Sequence, residues 1–375
     1  MNRMLVLIGV AAMAAAGCAS DGPAQAEQGH DGPLKVAVYA DKGPDGIGAV
    51  EWFRLVRDSP DMELKLVSGK DVRAGALDGQ DLLIMPGGYV KKEFLTLGTN
   101  GVERMKAFIR DGGAYLGTCA GNFLLTDGKD RARVIPYVSK GSEPDCFFSD
   151  FEVNEAGAKA LGIARGRHRM RYHGGPFLYP TTNVIEGANF EIWGTYAAEA
   201  CFSGRVNRKK GMYRSGAIVG GTYGKGRVFV TAAHPEYFES THYIVVAAIR
   251  YLTGRTVSFR SRQRRPGDLC VGYYASVGGV RTAQTALALA DTEGVDFHPI
   301  NDDGIREGAL HHLDVVVVPS AIAGKTNALY QVFERFIGDG GRVLMVDGGN
   351  KCRGRIKGAV PCASAEELIR EVKRR

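Results

Sequence analysis

The chain has 375 residues, of which 45% are hydrophobic and 24% charged, with 51 glycines and a net charge of +7. That size and balance exclude a disordered or fibrous chain and suggest two or three globular domains, each able to bury a core. The positive excess gathers in Arg255, Arg260, Arg262, Arg264 and Arg265 and in the tail Arg370, Lys373, Arg374 and Arg375, with only Phe259 interleaved. It reads as a solvated linker and terminus and argues against nucleic-acid binding.

Residues 1–18 are expected to be a targeting segment rather than fold. Arg3 supplies a basic start, Met4–Ala16 an apolar run too short to span a bilayer, and Ala15-Ala16-Gly17 a small-residue cleavage site. Cys18 directly after it resembles the box of bacterial lipoproteins, in which this Cys becomes the acylated first residue. Ala19-Ser20 rather than Asp follow, which by that resemblance favours the outer membrane. The chain is therefore expected to be exported to the cell envelope and to meet a membrane through its lipid only. Residues 19–32, small, polar and Gly/Pro-bearing, read as a flexible tether. Export permits disulfides among Cys146, Cys201, Cys270, Cys352 and Cys362, but spacing cannot pair them.

From residue 33 strand and helix signals alternate. Leu34–Tyr39 reads as a buried strand, Gly46–Arg57 as an amphipathic helix with Ile47, Val50, Phe53 and Leu55-Val56 apolar, and Leu64–Val67 as a second strand. Asp81–Met85 is a continuous apolar strand ending in Pro86-Gly87-Gly88-Tyr89. A helix over 102–110 stops at Asp111-Gly112-Gly113, where the strand Ala114-Tyr115-Leu116 begins. Alternation of this kind predicts an α/β, flavodoxin-like parallel sheet with helices on both faces, its functional loops at the carboxyl ends of the strands.

At one such end stands Gly117-Thr118-Cys119-Ala120-Gly121, followed by Asn122-Phe123-Leu124-Leu125: strand, tight turn, helix start. Small residues on both sides suit a nucleophile on a strained elbow, and a helix N-terminus favours thiolate over thiol. His234-Pro235-Glu236 follows much later, with a spacing that puts both side chains on one side of an extended segment. A carboxylate there orients an imidazole that activates the thiol. Cys119, His234 and Glu236 are thus the candidate catalytic residues. No Cys-x-x-Cys occurs, His168 and His173 stand alone, and neither metal nor cofactor is expected. Tyr137, Phe147, Phe148, Arg169, Arg171, Tyr172 and His173 are expected in pocket-building loops between Cys119 and His234, with Trp193 packed in the sheet.

The chain also repeats itself. Leu34–Ala40 (LKVAVYA) resembles Leu269–Ala275 (LCVGYYA), DLLIMP at Asp81 resembles DVVVVP at Asp314, and FIRDGGAYLGTCAGN at Phe108 resembles FIGDGGRVLMVDGGN at Phe336. Residues 268–375 are read as a second, shortened and degenerate copy of the same unit. In it Asp347 stands for Cys119, Ser320-Ala321 stand for Gly87-Gly88, and no His-Pro-Glu follows. Residues 256–267 form an Arg-rich linker whose Pro266-Gly267 marks the boundary.

The elbow together with His234-Pro235-Glu236 resembles the class I glutamine amidotransferase superfamily. More narrowly, the first strand, Met85-Pro86-Gly87-Gly88, the elbow and His173-Gly174-Gly175-Pro176 resemble the biotin-protein ligase N-terminal domain family, over residues 33–255. That resemblance implies an oxyanion hole from the backbone N–H groups of Gly88 and Ala120. It implies substrate contacts at Gly87, Tyr89, Asn122, His173, Gly174 and Gly175. Where glutamine-binding amidotransferases carry a Gln after the elbow, this chain has Asn122-Phe123. The expectation is a Cys-dependent hydrolase of a small-molecule or peptide amide; the alternative is a non-catalytic lipoprotein that binds a ligand or partner in the same pocket. Substrate and oligomeric state are not legible in the sequence.

Overall fold

The computed structural model describes residues 32–43, 47–142, 146–198, 201–202, 205–206, 211–260, 265–275, 279–306, 308–319, 327–346 and 356–374. Residues 1–31, read above as a targeting segment with Cys18 and a tether, lie outside the described residues, as do Ser320-Ala321, Asp347, Cys352 and the side chains of Cys146, Phe147 and Cys201. No helix among the described residues is long and apolar enough to cross a membrane.

The first part alternates β1 (Leu34–Tyr39), α1 (Ile47–Asp58), β2 (Met62–Val67), α2 (Gly69–Arg73), β3 (Leu82–Met85), α3 (Val90–Arg110), β4 (Ala114–Thr118) and α4 (Ala120–Leu125). Its strands lie parallel in the order β2-β1-β3-β4. β3 and β4 are buried at every position. Alternate side chains feed two cores: Val36, Val38, Ile84 and Leu116 pack on one face with α1, and Ala37, Leu83, Met85 and Tyr115 on the other with α3. α3 starts at Val90 rather than near residue 102. Gly98, at φ 63°, joins two helical stretches across a kink, and the polar residues around it hide the 3.6-residue period.

Past α4 come β5 (Tyr137–Ser139), β6 (Cys146–Val153), α5 (Glu155–Leu161), β7 (Gly166–His173), β8 (Leu178–Pro180), β9 (Ala188–Tyr196), β10 (Cys201–Phe202), β11 (Arg205–Val206), β12 (Gly216–Tyr223), β13 (Gly226–Thr231), β14 (Ala233–His234) and α6 (His242–Thr253). β13 joins β4 in parallel, and the sheet then continues as antiparallel β12-β9-β6-β7-β14. This corrects the expectation of a wholly parallel sheet with pocket-building loops between Cys119 and His234: most of that segment is strand. Its signal is alternation, as in β7, where His168, Met170 and Tyr172 are buried and Arg167 and Arg169 exposed. Trp193 packs inside, its ring 4.8 Å from that of Tyr251.

The last part runs β15 (Leu269–Tyr274), α7 (Val280–Ala290), β16 (Val295–Ile300), α8 (Asp302–Arg306), β17 (Val315–Pro319), α9 (Asn327–Gly338), β18 (Arg342–Val346), β19 (Val360–Cys362) and α10 (Ala365–Lys373). A second sheet, all parallel, has the order β16-β15-β17-β18-β19. Its register coincides with that of the first sheet: Val36, Leu82 and Ala114 are partners across β1-β3-β4, and Val271, Val315 and Arg342 across β15-β17-β18. Asp81 accepts the Lys35 backbone N–H at 2.8 Å, and Asp314 accepts that of Cys270 at 2.8 Å. Gly113 and Gly341 lie under the rings of Phe108 and Phe336, where a Cβ would come within 2.4 and 2.3 Å of the ring. Because the two carboxylates do the same job, Asp81→Ala and Asp314→Ala are each expected to cost about 1 kcal/mol. Urea unfolding of both variants checks this, and a loss confined to one of them would contradict the equivalence.

α1 joins the sheets. Every residue from Gly48 to Val56 is buried, because the second sheet covers the side of the helix that the first leaves open. Val50, Phe53, Val271 and Phe297 belong to one core. Arg57 reaches across to the Leu287 carbonyl at 2.9 Å and to Asp291 at 3.0 Å. The described residues from 32 onward accordingly form one compact unit.

Candidate functional site

Cys119 follows β4 and caps α4 with φ 49° and ψ −102°, a conformation that only a well-supported non-glycine residue holds. Its neighbours must be glycine for a steric reason. A Cβ on Gly117 would lie 2.7 Å from the Gly121 carbonyl carbon, and one on Gly121 would lie 2.2 Å from the Met85 carbonyl oxygen. The Cys119 N–H is held by the Thr231 carbonyl at 2.9 Å.

β13 brings the other half of the site. Thr231 pairs with Thr118, so the chain leaving β13 passes the elbow at once. His234 and Glu236 are buried, with Nδ1 to Oε1 at 2.7 Å. Thr118 donates its hydroxyl to Glu236 Oε1 at 3.3 Å and receives the Trp52 indole N–H at 3.3 Å. The Tyr237 ring packs 4.5 Å from that of His234. The carboxylate is thus anchored from β4 and α1 and fixes the imidazole.

The Cys119 thiol lies beside His234 and donates to the His173 carbonyl at 3.1 Å, while His234 Nε2 has no hydrogen-bond partner among the described residues. Burial alone lowers the His234 pKa, but the Glu236 charge, its hydrogen bond and the adjacent Cys119 outweigh it and raise the value to about 10. Gly87 separates the two groups: a Cβ there would stand 2.6 Å from His234 Cε1 and 3.1 Å from Cys119 Cβ. Gly48, at the start of α1, is equally constrained, its Cβ falling 2.5 Å from Glu236 Oε1. Gly87→Ala is expected to push His234 off the thiol and lower any Cys119-dependent rate by about 10²-fold. It is expected to cost about 1–3 kcal/mol of stability. Rate and urea unfolding measured together check it; an unchanged rate would contradict this placement of Gly87.

The structure gathers Cys119, His234, Glu236, Gly87 and the His173 carbonyl in one place. Ala120 opens α4, so its N–H has no acceptor within the helix, and Gly88 follows Gly87 on the β3 loop. Asn122 is fully buried one turn after Cys119, and its side-chain amide makes no hydrogen bond among the described residues. Gly174, with φ 75°, and Gly175 continue from His173; a Cβ on Gly175 would lie 2.1 Å from the Ala232 carbonyl oxygen. Tyr89 stands exposed at the start of α3, with Lys92 over its ring at 4.6 Å.

Two expected pocket residues belong elsewhere. Tyr137 is in the core and donates to the Phe190 carbonyl, and Tyr172 is in the core and donates to the Gly175 carbonyl. Arg169 pairs with Asp150 at 3.3 Å, and it and Arg171 lie over the half-exposed Phe148 ring at 5.7 and 5.2 Å. His168 bonds Tyr243 and the Ala164 carbonyl, a packed histidine. Sequence reading missed Gly48, Thr118 and Trp52. The one signal for Gly48 was a glycine inside the first turn of a helix, where it weakens the helix unless something needs the space. Cys119 and Cys362 are not in disulfides.

No curated protein matches the chain. Solved structures with a similar backbone include a ThuA-like protein from Bacteroides uniformis, at 11% identity and TM-score 0.45, covering 63% of this chain and 97% of that one. A ThuA-like protein from Parabacteroides merdae aligns at 12% identity and TM-score 0.41, covering 63% and 94%. A beta-galactosidase from a Rahnella species aligns at 17% identity and TM-score 0.40, covering 58% of this chain and 31% of that one. Residues 76–128, which carry β3, α3, β4 and the Cys119 elbow, match the family described as biotin-protein ligase, N terminal.

Proposed function

We propose that the chain is an amidotransferase-like cysteine hydrolase acting on a carboxamide through Cys119, His234 and Glu236. One observation carries the reading: a cysteine held at φ 49° on a strand-to-helix elbow, beside a buried histidine whose far nitrogen is bound by a buried carboxylate at 2.7 Å. The family match over residues 76–128 supports it, since that stretch contains the elbow. The Cys119 thiol gives up to solvent the proton it holds toward the His173 carbonyl and reacts as a thiolate beside the protonated His234. Sulfur then attacks the amide carbon, and the Gly88 and Ala120 N–H groups meet the oxygen. His234 gives its Nε2 proton to the leaving amine as the C–N bond breaks. Water, deprotonated by His234, opens the thioester and frees the acid and the thiol.

The second reading, a binding pocket without turnover, draws on the burial of Cys119 and His234, which are 6% and 3% exposed. Incubation with an amide and peptide library, with Cys119→Ala as control, separates the two. Amine release together with an acyl adduct on Cys119 is expected. Ligand binding that leaves every amide intact and Cys119 unacylated would establish the binder.

The coincident registers and the paired Asp81 and Asp314 contacts support residues 268–375 as a degenerate, flavodoxin-like copy of the first unit. With Asp347 at the elbow position it has no acyl-carrying thiolate, and its role is structural or ligand-binding. The run Met4–Ala16 followed by Cys18 supports export and lipid anchoring. Fractionation of expressing cells is expected to place the wild type with membranes and Cys18→Ser in the soluble fraction; equal solubility would refute the anchor.

A further inference from the structure

A cavity of about 680 Å³ lies between α1 and β16, the edge strand of the second sheet. Cys270, Asp296 and His298 line it, together with His312. Cys270 on β15 pairs directly with Asp296 on β16, and His298 stands two residues further, so strand alternation turns all three side chains to one face. One ligand atom from each falls within 4.8 Å of the others. Asp296 Oδ2 stands 2.8 Å from His298 Nε2 and 3.9 Å from Cys270 Sγ.

We propose that Cys270, Asp296 and His298 form a metal site for zinc or a zinc-like divalent cation, with a fourth position open to the cavity. One thiolate, one imidazole and one carboxylate are the donor types that a borderline-soft ion takes, and three protein ligands with an open position is the arrangement of a reactive rather than a structural site. A tetrahedral ion with bonds of about 2.0–2.3 Å holds its donor atoms roughly 3.3–3.6 Å apart. The present separations bracket that range, so side-chain adjustments of about 1 Å complete the set without moving the paired strands. Binding releases the thiol proton of Cys270. Cys270 stands 26 residues before Asp296, so no ligand spacing announces the set; strand pairing brings the thiol to Asp296 and His298. Tyr237, whose ring packs on His234, also lines the cavity.

The test is titration of the full chain with zinc against a chromophoric chelator, and with cobalt(II) for its thiolate charge-transfer absorption. Wild type, Cys119→Ala, Cys270→Ser and His298→Ala are compared. Wild type and Cys119→Ala are expected to bind one equivalent with the thiolate band. Cys270→Ser is expected to lose the band, and His298→Ala to bind at least about tenfold more weakly. His298 is half-exposed, so its replacement keeps the test valid if Cys270→Ser fails to fold. Undiminished binding by His298→Ala, absence of a cobalt–thiolate band in wild type, or loss of binding in Cys119→Ala would overturn the site, the last because the ion would then belong to the Cys119–His234 pair.

Discussion

Replacing Cys119 is expected to abolish amide turnover, by at least about 10³-fold, because no other thiol among the described residues stands beside His234 and the nucleophile cannot be bypassed. Alanine and glycine should be equally dead yet differ in stability. At φ 49° an alanine keeps the backbone strain that cysteine bears, and a glycine does not. Cys119→Gly is therefore expected to be about 1–2 kcal/mol more stable than Cys119→Ala. Urea unfolding measures the difference, and equal midpoints would mean that the elbow stores no strain. In the wild type, iodoacetamide at neutral pH should label Cys119 before Cys362, whose thiol is pushed up to about 11 by burial and by Glu367 and Glu371. First labelling at Cys362 would contradict the assignment of Cys119 as the reactive thiol.

Glu236→Gln is expected to lower kcat by about 10³–10⁴-fold while leaving the fold intact. The amide keeps the shape, but one atom, Oε1, serves both Thr118 and Nδ1: an amide oxygen there is uncharged, an NH₂ there favours the wrong imidazole tautomer, and either way the charge that holds His234 protonated is withdrawn. The same substitution should change how stability depends on pH. His234 titrates near 10 in the folded chain, against about 6.5 when unfolded. The native state therefore binds this proton more tightly. Its stabilisation is complete below about pH 6.5 and is lost as pH rises through 10. Unfolding free energies of the wild type should fall by a few kcal/mol across that window. Those of Glu236→Gln should stay nearly flat there, since the raising charge is gone. A wild-type profile as flat as the variant's would show that the carboxylate does not set the histidine's charge.

What could be read without coordinates was local. The apolar runs Leu82–Met85 and Ala114–Thr118, the glycines flanking Cys119 and the spacing of His234 and Glu236 follow from rules that act within a few residues: strand burial, steric room at a tight turn, alternation along an extended chain. The same rules account for the sequence resemblance between the two parts, because Asp81 and Asp314, or Gly113 and Gly341, make like local contacts. Long-range packing decided the rest. The antiparallel half of the sheet, with β7 and β9 among its strands, was hidden because one face is wet and its apolar residues alternate with arginines. Burial of α1 on every side, including Glu51 and Arg54 in a 2.6 Å ion pair, required the second sheet to close over it. Thr118, Trp52 and Gly48 became part of the site only when β13 laid His234 and Glu236 against β4 and α1. Cys270, Asp296 and His298 became neighbours only when β15 paired with β16. Sequence periodicity reports which way a side chain faces within its own element, and says nothing of which distant element will cover it; that is settled by how the sheets bury their apolar faces together.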